Sequence, residues 1–134
     1  MGTSLAERYR RYFQGIFIGG LDMAEKIVQT AGRDALGTFA PEFAHYNDDV
    51  LFGENWNNQD IDVKTRCMLT VTAIMAQGLV GDALKHHIMN AKNNGVTQKE
   101  MAALITHVAF YAGWPKAWAV FNLAKEVYVE GGES

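Results

Sequence analysis

Apolar residues recur along this chain at spacings of three and four rather than two, the period of helices that each bury one face. With 2 prolines and no alternating stretch, the pattern predicts an all-α protein. A first helix is expected over residues 5–13, a break over 15–20, and a second helix over 22–30 that Gly32 stops. Pro41 then opens a helix running through Phe43, Tyr46, Val50 and Leu51 to about Phe52. The stretch 53–59 is polar apart from Trp56 and reads as a loop, with Asp60 placed to cap the helix after it. In that helix Val63, Cys67, Thr70, Val71, Ile74 and Gly78 share one face. Leu69, Ala73 and Ala76 make its other side apolar too, the mark of a buried helix.

Gly78 and Gly81 bracket a turn before a helix over 82–94, with Leu84, His87, Ile88 and Ala91 on its apolar stripe and Gly95 at its end. Thr97-Gln98-Lys99-Glu100 has the form of a capping box, in which hydroxyl and carboxylate satisfy each other's backbone amides. The helix it starts carries Met101, Leu104, Ile105, Val108 and Ala112 as core. Gly113 and Pro115 separate it from a last helix through Trp118, Phe121, Leu123 and Val127. The expected organisation is one domain of about six to seven helices: residues 1–38 as an N-terminal helical extension packed on it, 39–130 as the helical core, and 131–134 as a frayed tail.

Composition narrows the function. A chain of 134 residues that is 49% hydrophobic can bury a core without staples. Twelve Lys plus Arg against fifteen Asp plus Glu, net −3, leaves no excess positive charge for phosphates, so nucleic acid is not an expected partner. One cysteine excludes an internal disulfide and any two-cysteine metal or redox site, and it suits a reducing compartment, so the cytoplasm is the expected location. No run approaches the roughly 20 apolar residues of a membrane helix, so no membrane association is expected. Arg8, Arg10 and Arg11 precede Ile16-Phe17-Ile18, but Gln14, Gly15, Gly19 and Gly20 interrupt any secretory pattern, and the segment is read as mature protein.

His87 is the most informative single residue. Helical geometry puts it between Leu84 and Ala91 on the buried stripe, while His86 points about 100° away. A half-buried imidazole titrates where proton transfer at neutral pH needs it, or it is a core histidine bonded to a carbonyl. His107 and Tyr111, four apart, are neighbours that either line a pocket or simply pack. Arg66 either presents a guanidinium to a carboxylate in a cleft or pairs with Asp62 one turn earlier. Cys67, among Val63, Val71 and Ile74, reads as a small hydrophobe rather than a nucleophile. Asp82, His86 and His87 do not have metal-ligand spacing, so no metal is expected. Trp56, Trp114 and Trp118 read as core or interface aromatics, and there is no G-x-S-x-G, P-loop or dinucleotide fingerprint.

Several ordered blocks carry a resemblance: Phe52-Gly53-Glu54-Asn55-Trp56, Lys64-Thr65-Arg66, Leu84-Lys85-His86-His87, Ala91-Lys92-Asn93-Asn94-Gly95-Val96-Thr97 and Tyr111-Ala112-Gly113-Trp114-Pro115-Lys116-Ala117. Over residues 39–128 the chain resembles the carboxymuconolactone decarboxylase family. The resemblance implies the alkylhydroperoxidase D-like helical fold, assembled as dimers stacked into a homohexamer. It also implies a cofactor-free lyase of aromatic-compound catabolism, which removes CO2 from a small carboxylated lactone. By position, His87 would be the general acid or enolate stabiliser, Arg66 a carboxylate anchor, and His107, Tyr111 and Trp56 substrate-pocket residues. The family commonly has Glu where this chain has Ala83, which leaves Asp82 as the carboxylate available to orient the histidine.

The redox branch of the same superfamily uses a C-x-x-C upstream of a histidine. If His87 is that histidine, the cysteine positions fall on Val80 and Ala83 and the upstream Glu position near Met68. A peroxide-reducing protein is thereby disfavoured as the alternative. A non-catalytic small-ligand-binding oligomer on the same scaffold is the other reading.

Overall fold

The computed structural model describes residues 26–130. Among them every regular element is helical, as the spacing predicts. They form two compact units that divide between Val63 and Lys64. The expected helix over 5–13 lies outside the described residues.

In the first unit, residues 26–30 are not helical. Asn57 ties them down instead: its Oδ1 accepts the Ile27 amide and its Nδ2 donates to the Ile27 and Phe52 carbonyls at 2.8 and 3.0 Å. The first helix, α1, is Ala31–Leu36, so Gly32 lies inside a helix rather than ending one. Helix α2, Pro41–His45, starts at its proline as expected and continues as a wider π-helical segment, Tyr46–Asn55. The Trp56 amide closes that segment by donating to the Leu51 carbonyl at 2.9 Å, the i to i−5 bond of such turns. The segment thus runs into the stretch expected to be loop. Its buried stripe is Ala44, Asp48, Phe52 and Trp56, whereas Phe43, Tyr46 and Leu51 stay exposed.

The second unit holds four helices: α3, Val63–Ala76; α4, Asp82–Asn93; α5, Gln98–Ala112; and α6, Trp114–Lys125, which runs on as a π-helical turn, Glu126–Glu130. Helix α3 begins three residues after Asp60, whose amide donates to Asn58 Oδ1 at 2.8 Å; Asp60 is not at the cap. Nor is α3 buried all round. Cys67, Val71 and Met75 are sealed, but Leu69 is 53% exposed and Ala73 lies on the same open side. A two-sided apolar wheel suggests burial; among the described residues only the side with Cys67, Val71 and Met75 is sealed.

The caps in this unit follow local chemistry. Thr97 Oγ1 accepts the Glu100 amide at 3.1 Å and Glu100 Oε1 accepts the Thr97 amide at 3.0 Å, completing the capping box. Those bonds, with Lys64 at 3.0 Å, hold the Glu100 carboxyl below its ordinary range. At the end of α4, Gly95 takes φ +95° so that its amide reaches the Lys92 carbonyl and the Val96 amide reaches that of Ala91. This double closure suits a residue without a β-carbon. Leu84, Ile88, Val96, Met101, Ile105 and Val120 fill the core. Tyr128 bonds across it, its hydroxyl donating to the Val96 carbonyl at 2.7 Å, and burial pushes that phenol upward. Trp118, expected on the stripe of α6, is exposed; Ala117, Val120 and Ala124 are buried in its place.

Candidate active site

His87 lies half-buried on α4 beside the buried Leu84, Ile88 and Ala91. Its imidazole pKa falls from 6.5 to about 4, mainly because burial disfavours the charged ring and secondarily because His86 adds like charge. The expectation of titration near neutrality is therefore corrected: at pH 7 His87 is a neutral ring, able to donate one hydrogen bond and accept another. Asp82 stands exposed in the first turn of the same helix, five residues away and about 140° around it. Ala83 is half-buried.

His107 and Tyr111 are brought together on the outer face of α5, their rings 5.2 Å apart and tilted by 47°. They border an open cleft of about 450 Å³ whose other walls are Thr72 and Ala76 of α3, Val108 and Ala112 of α5, and Lys116 of α6. Thr72 and Lys116 were not singled out from sequence. Each wheel shows one helix at a time, and this cleft is made by three. Lys116 is fixed in place: its Nζ donates to the Ala76 carbonyl at 3.1 Å, and its stem passes where a β-carbon on Gly78 would lie 3.5 Å from Cε.

Arg66 is half-buried near the start of α3. It stands six residues before Thr72 (72 − 66) and ten before Ala76 (76 − 66), about 9 and 15 Å along the helix axis. Arg66 therefore enters α3 at the end opposite the Lys116 cleft. Trp56 belongs to the first unit, where it is 6% exposed and stacks on Phe52 at 5.9 Å between ring centres.

Cys67 is buried, and Asn90 Nδ2 donates to its sulfur at 3.3 Å. Among the described residues no group of three His, Cys, Asp or Glu side chains is placed to hold a metal ion, and no helix is long and apolar enough to cross a membrane. A second cleft, about 440 Å³, runs between α5 and α6 past Met101, Trp118 and Phe121 and contains none of the candidate site residues named above.

Comparison with known proteins gives a consistent picture. Residues 41–126 match the carboxymuconolactone decarboxylase family. A 4-carboxymuconolactone decarboxylase of Acinetobacter baylyi is 32% identical over 92% of this chain and 90% of its own length. A nitrosuccinic acid decarboxylase of Metarhizium robertsii is 31% identical over 81% of the chain and 76% of its length. A 15.0 kDa protein of Paracoccus denitrificans is 26% identical over 96% and 99% of the two chains.

Proposed function

The chain belongs to the carboxymuconolactone decarboxylase family, and from that premise we propose that it is a cofactor-free lyase that decarboxylates a small carboxylated lactone or related acid from aromatic-compound catabolism. The observation that carries this reading is His87, a half-buried imidazole kept neutral at pH 7 on the helix that the family match includes. Relatives named as decarboxylases, one for a carboxymuconolactone and one for nitrosuccinic acid, support the reaction class.

The chemistry needs no electron sink beyond the substrate. When the carbon–carbon bond to the carboxylate breaks, CO2 leaves and the electron pair spreads through the ring double bond to the lactone carbonyl oxygen. A proton then adds to a ring carbon and gives the enol-lactone. A neutral imidazole N–H can bond that oxygen as charge gathers there. An anionic substrate beside the ring also raises its pKa, so His87 in the complex is able to carry the proton that the ring carbon takes up. Arg66 would anchor a carboxylate, His107 and Tyr111 would act from the separate cleft at the other end of α3, and Asp82 would be the acid available in place of the glutamate absent at Ala83.

The protein would work as a cytoplasmic homo-oligomer, a hexamer built as a trimer of dimers. The open apolar side of α3 at Leu69 and the exposed Phe110 and Trp118 support assembly. Ala83 favours a second reading, a small-ligand binder without turnover. Incubation with 4-carboxymuconolactone, without metal or thiol, followed by NMR beside His87→Ala, separates the two. Conversion by the wild type alone is expected. Conversion that survives in His87→Ala overturns the role of His87, and no conversion by either protein overturns the lyase reading for this lactone.

A further inference from the structure

We propose that the cleft at the C-terminal end of α3 is a binding site for the carboxylate of a small unsaturated acid, with Lys116 as its charge partner. Three observations converge. The lining is apolar at Ala76, Val108 and Ala112, which can cover a planar carbon skeleton, and polar at Thr72, His107, Tyr111 and Lys116. Among the described residues no carboxylate side chain lines the cleft, and Lys116 brings a positive charge to it. That charge is also positioned in advance: Lys116 has the Ala76 carbonyl as its partner, a neutral acceptor that leaves two of the three ammonium protons for a ligand. A lysine held in this way loses less side-chain freedom when an anion arrives than one waving in solvent.

Arg66 is remote from this place along α3, so it is Lys116 that supplies the cation beside His107 and Tyr111. The inference rests on the decarboxylase reading only for the kind of acid the cell supplies; binding at the cleft requires no turnover.

The probe is 2-furylacetate, an unreactive unsaturated ring with one carboxylate arm, titrated into the full chain at pH 7 and followed by NMR. We expect the His107 and Tyr111 ring signals to shift, with 2-methylfuran, which lacks the carboxylate, producing no such shift. K116M is expected to weaken binding tenfold or more and K116R to hold it within threefold, with circular dichroism confirming that both are folded. Unchanged affinity in folded K116M, or titration without movement of the two rings, overturns the proposal. If K116M does not fold, K116Q takes its place with the same criterion. Binding that persists while 4-carboxymuconolactone is not converted counts against the lyase reading alone; conversion without ring shifts counts against this one alone.

Discussion

The carboxylate of Asp48 fills the space that a β-carbon on Gly32 would need. The two positions would be 2.7 Å apart, with the Ala44 carbonyl oxygen at 3.0 Å. Asp48 is buried, and its two oxygens accept the Gly32 and Arg33 amides at 2.8 and 2.9 Å. The second and third amides of α1 are thus satisfied from the π-helical segment, while the first, that of Ala31, donates to Gln29 Oε1 at 2.9 Å. Gly32→Ala should therefore cost about 1–3 kcal/mol, the range for forcing atoms into a filled core. In an Asp48→Ala background the same change should cost less, because part of the clash has been removed. Urea unfolding of the four proteins of this cycle measures both values, and equal costs in the two backgrounds would refute the coupling.

His87 makes stability depend on pH in a defined window. Its folded pKa, about 4, lies below the ordinary 6.5, so between those values the unfolded chain binds the extra proton. Stability is full above pH 6.5, declines as pH falls toward 4, and stays lower beneath it, by at most about 3 kcal/mol. His87→Gln should remove this part of the pH dependence, read as the difference between the two proteins' unfolding free energies at pH 7 and pH 4.5. A difference that does not change with pH would refute it.

Tyr128→Phe should lower stability by about 1–3 kcal/mol, because it keeps the ring but leaves the buried Val96 carbonyl without its donor. Thermal unfolding checks this. Lys92, whose ammonium lies 5.7 Å from the centre of the same ring, keeps its bond to the Val127 carbonyl at 3.1 Å, so the loss isolates the hydroxyl.

Cys67→Ala should cost about 1–2 kcal/mol through the vacated volume and the lost acceptor of Asn90. Conversion of 4-carboxymuconolactone should continue at near wild-type rate. Inactivation of a folded Cys67→Ala protein would point to thiol chemistry instead.

What the sequence carried best was short-range. The Thr97–Glu100 box, the start at Pro41 and the stop at Gly95 each follow from a few adjacent residues, and each is where the pattern put it. The errors came where a distant residue decides. Gly32 reads as a stop because glycine weakens helices, yet Asp48, sixteen positions on, makes glycine the residue that fits there. Asp48 itself is a charge on a buried stripe, which polarity alone assigns to solvent. At the candidate site, a wheel predicted the half-burial of His87 and the pairing of His107 with Tyr111. The displaced pKa depends on how deeply the ring is desolvated, and the place of Lys116 depends on where α6 crosses the end of α3. Neither is written in the spacing along one helix.

The sealed sulfur of Cys67 has a practical side. It is the one thiol in the sequence and is 1% exposed, so a native solution offers maleimides almost nothing to react with. A single cysteine placed at an open position, such as Thr65 or Asn122, would then take a dye or spin label at one address without first stripping the wild-type background. The fold comes ready for a site-specific probe of a ligand-binding event.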